Sequence, residues 1–229
     1  MHMANDNIIW TKGVNKIFPL PNGEKLHVLK NIDLEIPRGK LTIFKGRSGS
    51  GKTTLMNLLG ALDNPTSGDV FFENENISGM GEGRRCKFRR KKIGFIFQSV
   101  ALIPTMTAYE NVEYMLRMAG VNKNRKERVI ECLRMVGLAS RMNHMPQELS
   151  GGEQQRVAIA RAFVHKPKVI FADEPTAELD TNTALQIVKI FKNLTDNEGV
   201  TIVMTTHDTG LMEIGDKVYE LEDGVFVER

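Results

Sequence analysis

The 229-residue sequence predicts an α/β protein: a parallel-sheet core, fronted by antiparallel strands and interrupted by a helical subdomain. Three observations carry this. Short apolar runs suited to buried strands alternate with helical periodicity along both halves of the chain. Between those halves, Thr107 to Val136 carries helical periodicity and no strand signal. One apolar run, Leu41 to Phe44, leads directly into the glycine-rich stretch Gly46-Arg47-Ser48-Gly49-Ser50-Gly51-Lys52-Thr53 at the head of a helix.

Ile8 to Val14 reads as extended, Pro19 to Gly23 as a turn, and Val28 to Ile36 as a second strand, with Ile32, Leu34 and Ile36 alternating with Asp33 and Glu35. This opening predicts antiparallel strands. A helix is expected from about Lys52 to Leu62, stopped by Asn64-Pro65, and Ile93 to Phe97 reads as a buried strand. Gly120 and Asn122 divide the helical stretch in two. A helix from Glu153 to Val164, a strand from Val169 to Phe171, a helix from Thr181 to Leu194 and a strand from Thr201 to Met204 follow. Lys217 to Glu228 reads as a hairpin turning at Asp223-Gly224. Met1-His2-Met3 reads as a cloning remnant outside the fold.

Composition narrows the function classes. The chain is 41% apolar and 26% charged, as in ordinary globular proteins. A formal net charge of +3 suits anionic ligands and is too small to argue for nucleic acid. No apolar run approaches the roughly 20 residues that span a bilayer. Cys86 and Cys132 form no CxxC pair and read as reduced structural cysteines.

Gly46 to Thr53 matches GxxxxGK[ST]. Glycines let the backbone curl so that successive N–H groups point inward at an anion, and the helix dipole adds to the attraction. Lys52 is placed to reach β- and γ-phosphates, and the Thr53 hydroxyl to ligate Mg²⁺. The run Val169-Ile170-Phe171-Ala172-Asp173-Glu174 delivers two carboxylates at the end of an apolar strand. Asp173 is expected to hold Mg²⁺ and Glu174 to polarise an attacking water. Leu149-Ser150-Gly151-Gly152-Glu153 opens a further helix, which by itself is an ordinary N-cap.

Taken together, Lys52, Leu149-Ser150-Gly151-Gly152-Glu153 and Asp173-Glu174 resemble the ABC (ATP-binding cassette) ATPase family over nearly the whole chain. That resemblance implies a P-loop NTPase (RecA-like) core with an N-terminal antiparallel β subdomain and an α-helical subdomain. It implies one domain over residues 4–229, with the β subdomain and core in 4–97 and 153–229 and the helical subdomain in 98–152. It implies that Gly46, Arg47, Ser48, Gly49, Ser50, Gly51, Lys52, Thr53 and Thr54 hold ATP. Across a head-to-tail homodimer, Ser150, Gly151, Gly152 and Glu153 would face the second nucleotide. Gln98 resembles the glutamine that touches Mg²⁺ and senses a membrane partner. His207, in Thr205-Thr206-His207-Asp208, resembles the histidine that contacts the γ-phosphate, and Asp180 resembles the family's D-loop aspartate. Phe18 resembles the aromatic that stacks on adenine; packing within the hairpin is the alternative. The implied catalytic set is Glu174, His207, Lys52 and Gln98, with Thr53, Gln98 and Asp173 around Mg²⁺. Three places depart from the family: Ala177-Glu178 stands where Ser-Ala or Gly-Asn is usual, Lys45 where an aliphatic residue is usual, and Phe18 where tyrosine is commoner, which keeps stacking and loses the hydroxyl.

Two further stretches, Leu58 to Gly68 and Ala101 to Val112, resemble the branch containing the lipoprotein-releasing LolD, the macrolide exporter MacB and Gram-positive peptide-resistance exporters. This implies an ATP-hydrolysing subunit on the cytoplasmic face of the membrane, driving a separate FtsX/MacB-like permease in export, lipoprotein or peptide handling, or mechanotransmission. The apolar and sulfur-bearing side chains from Ala101 to Met118 are expected to be divided between a small core and a groove for the permease, with Gln98 to Met106 as its wall. An ABC-type ATPase acting on DNA or the ribosome is the alternative; neither coiled-coil heptads, nor zinc-binding cysteines, nor a second cassette is present in the sequence. The basic run Arg84 to Lys92 favours a solvated helix face over nucleic acid, with anionic lipid headgroups as a third reading.

Overall fold

The computed structural model describes residues 6–227, apart from the side chain of Thr209. The remnant Met1-His2-Met3, the domain limits at 4 and 229, and Glu228 of the hairpin lie outside the described residues. Two sheets and a helical layer make up the fold. The first sheet is antiparallel, in the order β2-β1-β4-β5. It comprises β1 (Asn7–Pro19), β2 (Lys25–Pro37), β4 (Ser67–Phe72) and β5 (Glu75–Asn76). The second has the order β10-β9-β3-β8-β7-β6, formed by β3 (Leu41–Lys45), β6 (Ile93–Ile96), β7 (Val169–Ala172), β8 (Thr201–Thr205), β9 (Lys217–Glu222) and β10 (Val225–Val227). Its strands from β9 to β6 run parallel, and only β10 is antiparallel. Parallel strands covered on both faces need apolar residues at every position, and β7 and β8 are buried throughout.

Strands β4 and β5 were not foreseen. Gly68 and Asp69 break the apolar run there, and a strand of mixed burial leaves little period-2 signal. Gly68 is required where it sits: at φ 82°, an added Cβ would lie 2.2 Å from the Gly13 carbonyl oxygen of the neighbouring strand.

Helix α1 (Lys52–Leu59) is shorter than expected, because the chain turns at Gly60 and Ala61 adopts φ 55°. Helix α2 (Glu82–Lys92) carries the basic run, and its cations lie mostly at the surface. The helical layer consists of α3 (Ala108–Met118), α4 (Arg125–Met135) and α5 (Gly151–Phe163). Helix α3 starts on a capping box between Thr107 and Glu110. Its Val112 and Leu116 share one core with Val129 and Leu133 of α4 and Val157 of α5. Helix α6 (Thr181–Glu198) runs a turn beyond the expected end, to Gly199 at φ 66°, and a short α7 (Thr209–Met212) precedes β9. No helix among the described residues is long and apolar enough to cross a membrane.

Candidate nucleotide site

The phosphate loop leaves the end of β3 and enters α1, so three buried parallel strands open onto it. Its shape is locked from below. Gly46 has φ 148°, and a Cβ there would meet the Leu221 carbonyl oxygen at 2.2 Å. Gly51 caps α1 at φ 105°, with no side chain capping the helix start. The amides of the first turn are therefore left without side-chain partners, the arrangement an anion fills. Lys52 is buried, and its Nζ donates to the Gly46 and Arg47 carbonyls at 2.8 and 3.0 Å. The cation is thus held inside the loop, curled over the place where phosphate would lie.

Two neighbouring strands bring the carboxylates alongside. The Thr53 hydroxyl donates to Asp173 Oδ2 at 2.8 Å, and the Thr205 hydroxyl to Asp173 Oδ1 at 2.7 Å. The same Thr205 oxygen accepts the Glu174 N–H at 2.7 Å. Glu174 has φ 43°, a left-handed conformation that costs a β-carbon-bearing residue on the order of 1–3 kcal/mol. The turn aims its carboxylate toward His207, whose Nδ1 lies 3.5 Å from Glu174 Oε2. Glu174, His207, Thr206, Thr181 and Leu179 line a pocket of about 130 Å³. Thr205 is the residue that sequence reading missed. The expected strand stops at Met204 and Thr205 enters only as a neighbour of His207, whereas β8 runs on through Thr205 and the parallel register places its hydroxyl between Asp173 and Glu174.

Lys45 acquires a physical account. It pairs with Glu220 across the β3–β9 register, Nζ to Oε2 at 2.8 Å. A strand-end position beside the loop thereby holds a compensated charge. Phe18 stands at the exposed end of β1, its ring half-open, with Lys16 Nζ 4.9 Å from the centroid. Gln98 is exposed just beyond β6, whose last residue, Ile96, accepts the Asp173 N–H at 2.9 Å.

The second group of expected residues lies apart from the first. Helix α5 begins at Gly151 rather than at Glu153, because a capping box forms at its start. Ser150 Oγ accepts the Glu153 N–H at 3.3 Å, and the Glu153 carboxylate accepts the Ser150 N–H at 2.9 Å. Gly151 and Gly152 thus form the first helical turn. Gly152 packs on α6, where a Cβ would lie 2.6 Å from Thr183 Cγ2. Thr183 is itself held by Asp180, the N-cap of α6. Hydrogen bonds from Thr183 hold the Asp180 carboxyl below its ordinary range. Among the described residues, no hydrogen bond or ion pair joins Ser150 to Glu153 with the phosphate loop.

A family model described as ABC transporter matches residues 29–177. The chain belongs to the ABC transporter family. It is an ATP-binding, ATP-hydrolysing cassette of the transport class. It is 47% identical over 223 residues to the ABC transporter ATP-binding protein MJ1508 of Methanocaldococcus jannaschii, covering 96% of this chain and 98% of the relative. It is 44% identical over 218 residues to the lipoprotein-releasing system ATP-binding protein LolD of Bacteroides thetaiotaomicron, covering 95% of this chain and 98% of that one. Among solved structures, the dimeric ATP-binding cassette MJ0796 bound to ADP and Pi superposes with a TM-score of 0.87 at 40% identity, covering 96% of this chain and 97% of that one.

Proposed function

We propose that the ABC cassette works as a head-to-tail homodimer that closes two ATP molecules between its copies and drives a transmembrane permease of the MacB/LolD-like kind. The carrying observation is the separation of two half-sites. The phosphate loop with Asp173, Glu174 and His207 is assembled within one chain, whereas among the described residues no hydrogen bond or ion pair ties the Ser150 helix start to the phosphate loop. An isologous two-fold pairing brings each half-site to its complement. The dimeric state described for the related cassette supports this reading.

In this mechanism the inward amides of Gly46 to Thr54 and the Lys52 ammonium neutralise the phosphates of ATP. Mg²⁺ fits the oxygen donors that converge here, the Thr53 hydroxyl and the Asp173 carboxylate, with Gln98 as the third candidate. Held there, the ion would supply charge neutralisation for the phosphates. Glu174 accepts a proton from the attacking water, and His207 beside it contacts the γ-phosphate end. Phe18 stacks on the adenine. From the partner copy, Ser150, Gly151, Gly152 and Glu153 face the γ-phosphate, and Asp180 orders the adjoining helix start. Residues 98–152 act as the helical subdomain, which α5 extends to Phe163, and 6–97 with the residues after α5 act as the β subdomain and core.

The chain is expected at the cytoplasmic face, held there by the permease. Tyr114 and Met118 are exposed on α3, and Phe97 is exposed just beyond β6 with its ring stacked on Phe95, while Leu102, Tyr109 and Met115 pack against the core. The permease groove is assigned to this region with the Gln98 to Met106 segment as its wall; the inward packing of Leu102 leaves the exposed Tyr114 and Met118 of α3 as its apolar contacts. Size-exclusion chromatography of Glu174→Gln tests the central claim. With ATP and Mg²⁺ the variant should elute as a dimer, and without them as a monomer. A variant that stays monomeric in ATP, or hydrolyses at the wild-type rate, overturns the dimer or the assignment of Glu174.

A further inference from the structure

Helix α5 carries a charge that the mechanism above does not use. Arg161 is half-buried, and burial pushes its guanidinium pKa down. Among the described residues, Arg85 and Arg89 pair with Glu82 and Arg128 with Glu131, whereas Arg156, also partly shielded on α5, reaches only the Gln186 amide oxygen at 3.4 Å. Among the described residues Arg161 has no carboxylate at ion-pair distance. A desolvated cation without a counter-ion is costly. Its Nη1 donates instead to one backbone oxygen, that of Ala101, at 2.5 Å.

Ala101 belongs to the segment that runs from Gln98 to the start of α3. That segment is held from its other side by Asn111, which is fully buried. Asn111 Nδ2 donates to the carbonyls of Ile103, Met106 and Thr107, at 3.1, 2.9 and 3.1 Å, and its Oδ1 accepts the Ile103 N–H at 2.8 Å. The Asn111 contacts tie the segment to its own following helix. Among the described residues, the Arg161 hydrogen bond is the one polar contact that ties it to α5, the helix whose start carries Ser150, and Leu102 adds apolar packing on the core that α5 shares.

We propose that Arg161 is a positioning residue that locks the Gln98 segment to helix α5, so that the two move as one body. This rests on the homodimer reading, in which Gln98 meets the nucleotide of its own chain and Ser150 meets that of the partner. The tether then makes the fill state of one site set the position of the element that completes the other. Its loss leaves ATP binding to the single chain intact while weakening closure and hydrolysis.

The test uses the full chain in three forms. Arg161→Met keeps an apolar stem and removes the donor. Arg161→Lys keeps a donor and the charge. Val129→Ala removes buried volume from the same helical core without touching either tether. Arg161→Met should lower kcat by about tenfold to a hundredfold, the loss expected for a charge-assisted hydrogen bond. Calorimetric ATP affinity should stay within about twofold, and the Hill coefficient for ATP should fall toward one. Arg161→Lys should recover most of kcat. Val129→Ala should lose at least as much thermal stability as Arg161→Met while keeping kcat and the Hill coefficient.

Unchanged kcat and cooperativity in Arg161→Met overturn the proposal, and so does an equal kcat loss in Val129→Ala. The same variants in the Glu174→Gln background separate the two claims. A parent that does not dimerise in ATP sinks the dimer reading and the tether with it. A parent that dimerises, with Arg161→Met dimerising equally well, sinks the tether alone. Should Arg161→Met fail to fold, hydrogen exchange of the wild-type chain decides. ATP should slow exchange at residues 99–103 and 150–153 with one midpoint, and two distinct midpoints overturn the coupling.

Discussion

Helices α1 and α5 both begin in glycine-rich sequence, and they complete their N-termini in opposite ways. Helix α1 starts at Gly51 with no side-chain cap and no acidic residue in its first turn, and Lys52 is buried against the loop carbonyls. Helix α5 starts on Ser150, closes a capping box with Glu153, and so places a carboxylate in its first turn. The first helix start is an open anion cradle with its own cation. The second is self-satisfied, and its remaining offer to a phosphate is the exposed turn at Ser150 and Gly151. The contrast fits a loop that binds nucleotide by itself and a helix start that closes over nucleotide already held elsewhere.

The sharpest way to break this contrast is to empty the cradle. Lys52→Ala should cut hydrolysis by about a hundredfold to a thousandfold, the range for removing one preorganised electrostatic partner. Calorimetry should show the nucleotide affinity falling with it, and circular dichroism should show the fold intact. Persistent hydrolysis would place the phosphate elsewhere. Next in size is Thr205→Val, which strips both the Asp173 and the Glu174 contacts. About 1–3 kcal/mol of stability should be lost for the buried groups left unpaired, together with a drop in kcat measured by phosphate release.

At the capped helix the effects should be smaller. Ser150→Ala should cost about 1 kcal/mol of stability in urea unfolding, leave ATP affinity of the single chain unchanged and weaken dimer closure in the Glu174→Gln background. Glu153→Gln keeps an acceptor for the Ser150 N–H and removes the charge. Its ATP-driven dimer should tighten by about twofold to fivefold, since a negative charge at a helix start is worth about 0.3–1 kcal/mol. A weakened dimer would show instead that the carboxylate itself is needed across the interface. The sign in pH follows from the Ser150 N–H, which holds the Glu153 carboxyl below its ordinary 4.5. Its stabilising contribution is present above that value and is lost as pH falls through the lowered folded-state pKa. Urea midpoints between pH 6 and 3 should therefore change less steeply in Glu153→Gln than in wild type.

Much of the site was legible because its chemistry is local. Gly46 to Thr53 is one loop, Asp173-Glu174 one strand end and Ser150 to Glu153 one helix start, and each is a pattern of neighbours in the chain. The parallel core was legible from fully apolar runs such as Val169 to Ala172. The β4–β5 hairpin was not, because half-exposed short strands leave a weak alternation. The limits of α1 and α5 shifted because caps and left-handed turns, not apolar periodicity, set where helices stop.

The sequence by itself determined the family and the phosphate-loop motif, with the lysine proposed to meet the phosphate, because a glycine loop, a cation and a strand-end carboxylate are encoded in contiguous motifs. Only the tertiary structure decided what holds those motifs in register. Thr205 joins Asp173 to Glu174 because β8 lies beside β7; Lys45 meets Glu220 because β3 lies beside β9; and Arg161 reaches Ala101 because α5 packs beneath the Gln98 segment. Each of these contacts links residues far apart in the chain. Strand register and helix packing, which depend on the whole core at once, brought them within hydrogen-bonding distance.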